Sequence, residues 1–227
     1  MKLNRLSLKR WIVIILVVLI VLASVLPLEM LAGKVSILGA AVAKVFIKSL
    51  DMNTTCNLTM VEGWNLVTFA CIPSDKTPGS MLDPIYGDYA SIHNYDASDD
   101  SDHWKAYNPS LPSWVVQDIT LISEKKGYWV NVENDCNLSI RGTIKYPNMI
   151  NVVRGWNLIG YPLNASKSPS DAFSYINGSY SIVWTYNTTE DAYLYYNPYL
   201  GSGTLTEITP VKGYWINMTE DDTLWVI

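Results

Sequence analysis

The sequence Gly-Trp-Asn-Leu at residues 63–66 is repeated at residues 155–158, and Lys-Gly-Tyr-Trp-Val-Asn at residues 126–131 returns as Lys-Gly-Tyr-Trp-Ile-Asn at residues 212–217. The offset between the copies falls from 92 to 86 residues along the chain, as expected when loops shorten while packed positions persist. We therefore predict two tandem, related modules.

Each module is predicted to consist mainly of short strands, because runs of apolar and aromatic residues alternate with turn residues. Module 1 covers residues 55–142, with strands predicted at 58–61, 64–69, 89–95, 103–107, 127–132 and 136–141. Module 2 covers residues 143–227, with strands predicted at 150–153, 156–161, 180–186, 192–196, 213–218 and 223–227. In each module the first two strands flank a glycine, which predicts a hairpin.

One short helix is predicted in each module. Ser168 is a typical capping residue, Pro169 stands at the first helical position, and Asp171 lies in the first turn. Thr77 and Pro78 begin the equivalent segment of the first module. The predicted fold class is thus mainly β with one short helix per repeat, in two tandem β-rich modules that follow an N-terminal transmembrane helix.

The N-terminal segment predicts a membrane anchor. Residues 11–28 form an apolar run that four basic residues precede. A helix of that length spans about 27 Å, close to a hydrocarbon core of roughly 30 Å. The basic residues predict a cytoplasmic tail over residues 1–10 and an extracellular remainder. A cleaved signal peptide, with Ala-Val-Ala at residues 41–43 as its cleavage pattern, is the alternative. Residues 29–54 are predicted to form an amphipathic linker or stalk helix.

Charge is unevenly distributed between the two ends of the chain. Residues 1–50 carry a net charge of +6 and residues 51–227 a net charge of −11, within a total of −5. Such an acidic extracellular part would repel a phosphate backbone, so nucleic acid is excluded as a predicted partner. The predicted partners are the membrane and either glycans or neighbouring surface proteins, and tandem modules also allow self-assembly.

Seven Asn-X-Ser/Thr sequons lie in the acidic part of the chain. They predict N-glycosylation of an exported surface, and a loop composition rich in Ser, Thr and Asn is the alternative explanation. The sequon asparagines are Asn53, Asn57, Asn137, Asn164, Asn177, Asn187 and Asn217.

Three cysteines fit an oxidising compartment with at most one internal disulfide. We favour Cys56 with Cys71 because the loop that this pair closes is short. The sequence also allows Cys56 with Cys136, since each opens a similar strand at one end of the first repeat.

Four carboxylates, those of Asp96, Asp99, Asp100 and Asp102, fall within seven residues between two predicted strands. Calcium binds such sets of oxygen ligands, so it is the one cofactor that the sequence suggests. A solvated hairpin loop is the alternative explanation.

Two groups of aromatic residues have different expected roles. Trp64, Trp129, Trp156 and Trp215 stand beside glycines in both repeats and are expected to fill the module cores. Aromatic residues in or near loops are better candidates for a platform on which sugar rings stack. These candidates are Trp104, Tyr107, Trp114, Tyr193, Tyr195, Tyr196 and Tyr199.

The order Gly-Trp-Asn-Leu, Tyr-Asn-Pro, Lys-Gly-Tyr-Trp over residues 55–227 resembles a tandem module of exported surface proteins of archaea and bacteria. This resemblance implies a location and an architecture, because such modules have no agreed activity. The first repeat departs from the second at His93, which stands in the place of Trp184, and at Cys71, which stands in the place of Leu163.

Motifs of common enzymes are missing from the sequence, which has no Gly-X-Ser-X-Gly elbow, phosphate loop or His-Glu-X-X-His pair. An enzyme is therefore not predicted. We expect a single-pass protein of the cell membrane with a structural or adhesive role outside the cell. Glycan binding through loop aromatics is the second hypothesis, and a glycoside hydrolase that uses paired carboxylates is a distant third.

Overall fold

Strand β1 (Met52–Met60) runs antiparallel to strand β6 (Cys136–Ile144), and the two form a ribbon in which buried and exposed side chains alternate towards the Met60 end. Leu58, Met60 and Leu138 pack into the core, whereas the intervening polar residues face solvent. This alternation follows from the two-residue period of a strand, which places successive side chains on opposite faces.

The computed structural model describes residues 51–112, 114–163 and 165–227, and the fold is mainly β, as predicted. The first sheet is antiparallel and has the order β2 (Gly63–Val67), β5 (Tyr128–Val132), β3 (Tyr89–Tyr95), β4 (Trp104–Tyr107). The second sheet has the order β8 (Gly155–Gly160), β12 (Gly213–Met218), β9 (Tyr180–Asn187), β10 (Ala192–Asn197), β11 (Ser202–Gly203). A second ribbon joins β7 (Asn148–Val152) to β13 (Asp222–Val226).

The predicted hairpins at the start of each module are wrong. β1 pairs with β6 and β2 pairs with β5, so neighbouring strands in sequence belong to different sheets. Gly63, at φ 99°, allows the abrupt change of direction between them. Asn65 then holds the junction, because its side chain accepts a hydrogen bond from the backbone N–H of Val61 and donates to the carbonyl of Val61.

Two short helices lie at the predicted places, α1 (Pro78–Leu82) and α2 (Pro169–Ala172). In α2 the hydroxyl of Ser168 accepts a hydrogen bond from the backbone N–H of Asp171 at 3.2 Å, which caps the helix as its sequence predicts. A turn of 3-10 helix follows each α-helix.

Each half of the described chain has its own apolar core. The tyrosine of each Lys-Gly-Tyr-Trp sequence is central to it, since Tyr128 and Tyr214 are almost fully buried. Their hydroxyls accept hydrogen bonds from the backbone N–H groups of Ser123 at 2.8 Å and Thr209 at 2.7 Å. Burial raises the pKa of Tyr214 to about 12.

The two sheets meet at reciprocal backbone contacts. Val67 and Lys212 form one isolated antiparallel bridge, and Lys126 and Ile159 form another. Val67 and Ile159 are equivalent positions of the two repeats, and so are Lys126 and Lys212. In both bridges the apolar position of one repeat therefore pairs with the lysine position of the other.

The glycine of Lys-Gly-Tyr-Trp is explained by this contact rather than by a turn. A Cβ at Gly127 would lie 2.9 Å from the carbonyl oxygen of Ile159, and a Cβ at Gly213 would lie 2.9 Å from that of Val67. Only glycine lets the two backbones approach so closely.

The predicted tail at residues 1–10 and transmembrane helix at residues 11–28 lie outside the described residues. Residues 29–50 of the linker predicted over residues 29–54 also lie outside the described residues, and its end is strand instead, because Met52 opens β1 and pairs with Ile144. This pairing extends beyond both predicted ends of module 1, residues 55 and 142. Among the residues that the structure describes, no helix is both long and apolar enough to cross a membrane.

Candidate ligand-binding surface

The tryptophans beside the glycine motifs lie on the outer faces of the sheets, so the prediction that they fill the cores is wrong. Trp64 is 44% exposed and Trp156 is 42% exposed. Trp129 and Trp215 are half-buried, because each follows a core tyrosine on its strand and alternation turns it to the opposite face.

A first aromatic pocket opens on this outer surface, with a volume of about 490 Å³. Strands of both sheets build it, since the tyrosines in its wall come from β9 and β10 of the second sheet. Its lining residues are Trp64, His93, Trp104, Trp129, Tyr186, Asp191 and Tyr193.

A second aromatic pocket of about 480 Å³ lies beside the first. Its walls also come from both sheets, and Tyr193 lines both pockets. The lining residues of the second pocket are Tyr95, Trp156, Trp184, Tyr193 and Trp215.

The two pockets are built on one plan. Trp64 and Trp129 meet edge to face in the first pocket, with centroids 6.4 Å apart and an interplanar angle of 86°. Trp156 and Trp215 do the same in the second, at 6.2 Å and 87°. The steep angles make these rings the walls of concave pockets rather than parts of one flat platform.

Aromatic contacts connect the pockets across the boundary between the sheets. Trp129 of the first sheet contacts Tyr186 of the second at a centroid distance of 5.3 Å. Trp215 of the second sheet contacts Tyr95 at 5.1 Å and Trp104 at 5.9 Å. The result is one continuous aromatic surface that spans both halves of the fold.

Polar groups are few and are concentrated in the first pocket. The hydroxyl of Tyr186 donates a hydrogen bond to the carboxylate of Asp191, which raises the pKa of that tyrosine. His93 lies 3.0 Å from the hydroxyl of Ser91, and burial lowers the pKa of its imidazole. None of the described lysines or arginines lines either pocket.

Of the predicted glycan-contacting residues, Trp104 and Tyr193 line the aromatic pockets. Tyr195 supports them by packing on Trp184 at 5.5 Å. The remaining four line neither pocket. Tyr107 packs against the first core, Tyr196 is buried in the second, and Trp114 and Tyr199 are exposed in loops.

Several pocket residues were missed in the sequence, chiefly Tyr95, Tyr186 and Asp191 together with the tryptophans assigned to the cores. The pair Tyr-Trp is the signal in the sequence that could have shown that the tryptophan lies outside the core. Two adjacent aromatic residues on a strand must face opposite sides of the sheet, so only one of them can enter the core.

Three of the four aspartates of the acidic loop contact lysines. Asp99 and Asp102 contact the ammonium of Lys105 at 2.7 and 3.4 Å, and Asp96 contacts that of Lys126 at 2.7 Å. Partial burial raises the pKa of Asp96, but hydrogen bonds from Lys126 and Ser98 outweigh it and lower the value to about 2.

A calcium site at this loop has no geometric support. Within the described part of the chain, no three acidic, histidine or cysteine side chains are grouped so that they could hold a metal ion, and this includes Asp96, Asp99, Asp100 and Asp102.

Cys56 and Cys71 are joined by a disulfide, which is the favoured pairing, and Cys136 is a buried free thiol. Burial raises the pKa of that thiol. The disulfide links β1 to the segment after β2, so it ties the first ribbon to the first sheet.

The sequon asparagines occupy several surfaces. Three of them, Asn53, Asn57 and Asn137, face outwards on the first ribbon. Their side-chain oxygens accept hydrogen bonds from hydroxyls on the opposite strand. Asn177 is exposed, whereas Asn187 and Asn217 are half-buried. Asn164 lies outside the described residues.

The chain matches no protein-family model, no curated protein and no solved structure.

Proposed function

We propose that the chain is a membrane-anchored adhesion protein of the cell surface, built from two tandem modules, and that its aromatic surface binds glycans. The observation that carries this proposal is the continuous outer surface of half-exposed aromatic rings around two adjacent pockets. Large exposed aromatic patches on soluble domains are typical of interaction sites.

The chemistry of the surface favours a sugar over an alkyl chain. A pyranose ring has an apolar C–H face, which packs against an aromatic ring, and a hydroxyl edge, which forms hydrogen bonds. Among the described residues, none of the indole N–H groups that line the pockets donates to a protein acceptor. Hydroxyl oxygens of a sugar can accept hydrogen bonds from these N–H groups, whereas an alkyl chain offers no acceptor.

The architecture supports the tandem arrangement. The first four strands of each sheet follow the same order, and the contacts between the sheets are reciprocal. Export is supported by the disulfide between Cys56 and Cys71 and by the exposed sequon asparagines. The apolar run at residues 11–28 supports the anchor.

Removing a wall of either pocket is expected to weaken glycan binding without unfolding the protein. In Trp64→Ala and Trp156→Ala, glycans retained by the native chain on an array should bind at least about tenfold more weakly, which corresponds to 1.4 kcal/mol or more. The melting temperature should change little, because both rings are already half-exposed. The test uses the full chain in detergent micelles, with array binding followed by calorimetric titration.

Trp114→Ala is the matched control, because Trp114 is 81% exposed and lines neither pocket. Its glycan binding should equal that of the native chain. If no glycan is retained, or if all three variants bind alike, the aromatic surface is not a glycan site.

A further inference from the structure

The two aromatic pockets share one plan but differ in charge. The first contains the carboxylate of Asp191 and has His93 where the second has Trp184. The second pocket is lined by aromatic residues alone. This difference allows one pocket to serve as a control for the other.

The rings of the first pocket stand at steep angles to one another around one open cavity. Trp64 and Trp129 are nearly perpendicular, and Trp129 and Tyr186 are inclined at 56° with centroids 5.3 Å apart. Tyr186 and Tyr193 are inclined at 57°. Several ring faces therefore border one cavity, and the negative face of an aromatic ring attracts a cation within about 6 Å of its centroid.

The carboxylate of Asp191 gives the first pocket a negative charge that no described lysine or arginine pairs with. One oxygen of Asp191 accepts the hydroxyl of Tyr186, and no described lysine or arginine approaches this carboxylate within ion-pair distance. In the acidic loop, by contrast, Asp96 and Asp99 pair with lysines. The first pocket thus keeps a negative charge that a bound ligand would compensate.

We propose that the first aromatic pocket binds an alkylated ammonium group, which is held by the ring faces and balanced by the carboxylate of Asp191. Alkylation matters because an ammonium that carries methyl groups gives up less hydration than a primary ammonium when aromatic rings enclose it. This inference is independent of glycan binding, because its ligand is recognised by charge and its site is one pocket only.

Choline and its uncharged isostere 3,3-dimethylbutan-1-ol test the proposal directly. Both are titrated into the full chain in a neutral detergent, and tryptophan fluorescence and calorimetry report binding. Choline is expected to bind at least about tenfold more tightly than the neutral isostere. Equal affinities would show a merely apolar pocket and would overturn the proposal.

Asp191→Asn is expected to weaken choline binding at least about fivefold while it leaves the affinity for 3,3-dimethylbutan-1-ol unchanged. Asn is tolerated there, because Asp191 has a positive φ of 48°, a conformation that asparagine adopts readily. Glu190→Gln is the matched control, since this neighbouring acid is exposed like Asp191 but does not line the pocket. An equal loss in Glu190→Gln would show non-specific charge attraction and contradict the proposal.

Acidification is expected to weaken choline binding. The His93 imidazole faces Trp64 and Trp129 across the sheet and Ser91 along its own strand, and the titratable groups that share its pocket are Asp191, Tyr186 and Tyr193. Burial keeps the pKa of His93 below its ordinary value, so the imidazole is neutral at pH 7 and gains a repelling charge only in more acidic solution.

The affinity for choline should therefore be constant from pH 8 to pH 7 and fall only below the ordinary imidazole pKa of about 6.5. His93→Gln removes the imidazole. Its affinity for choline should therefore stay constant at the mildly acidic pH values at which that of the native chain begins to fall. A native-like fall in His93→Gln would exclude His93 as the origin of the pH dependence.

Discussion

Asn157→Ala is expected to lower the free energy of unfolding by about 3 kcal/mol, because it leaves three backbone groups at a partly buried strand junction without partners. The Asn157 side chain is 5% exposed. Its oxygen accepts from the N–H of Val153 at 3.0 Å, and its amide donates to the carbonyls of Val153 at 2.6 Å and Gly155 at 3.1 Å.

These bonds explain the asparagine of Gly-Trp-Asn-Leu. The chain leaves β7 at Val152 and enters β8 at Gly155 in a different sheet, so the connecting backbone has no ladder partner of its own. The side chain of Asn157 replaces that partner. Asn65 makes the same three bonds in the first half, so Asn65→Ala should cost a similar amount.

Urea denaturation of the full chain in detergent, followed by tryptophan fluorescence, measures the effect. Asn151→Ala is the control, because this exposed asparagine on the neighbouring strand accepts one hydrogen bond, from Thr223, and should cost less than about 1 kcal/mol. If Asn157→Ala and Asn151→Ala were equally stable, the buried amide would not hold the junction.

Gly160→Ala is expected to destabilise the fold by about 3 kcal/mol or more, because an added methyl group would strike the backbone of the first half. A Cβ at Gly160 would lie 2.4 Å from the carbonyl oxygen of Glu124 and 2.9 Å from that of Lys126. Backbone atoms cannot rotate away as a flexible side chain can, so the two halves must separate.

The matched control is Gly79→Ala. Gly79 lies in α1, and its added Cβ would approach only the hydroxyl of Tyr107, at 3.3 Å. Because alanine favours a helix, the stability should change by less than about 1 kcal/mol. Differential scanning calorimetry of both variants gives the comparison. If the Gly160→Ala protein were as stable as the native one, the backbone contact of Gly160 with Glu124 and Lys126 would not be a tight constraint on the fold.

The sequence predicts strands well and their partners poorly. Most predicted strands agree with the observed ones within two residues, because alternation is a local signal. Pairing is not local, since Met52 lies opposite Ile144 and the short Glu62–Gly63 connection only resembles a hairpin turn. The predicted strand pairings are therefore wrong where consecutive strands belong to different sheets.

The sequence predicts only part of the aromatic surface, because the contacts that form this surface are also not local. The sequence indicates Trp104 and Tyr193 as ligand candidates, yet the pockets need rings from both sheets. Their meeting depends on the bridges between Val67 and Lys212 and between Lys126 and Ile159, which join residues far apart in the chain. No spacing within one repeat encodes that arrangement.

The disulfide has a mechanical consequence for a tethered protein. Tension that enters from the proposed anchor reaches β1 at its first residue, and only the four residues from Met52 to Thr55 precede the cross-link at Cys56. Once these have peeled away, the load passes through the covalent bond to Cys71, and the rest of β1 is bypassed. Under tension the segment between Cys56 and Cys71, which includes Trp64 of the first aromatic pocket, would therefore carry no load.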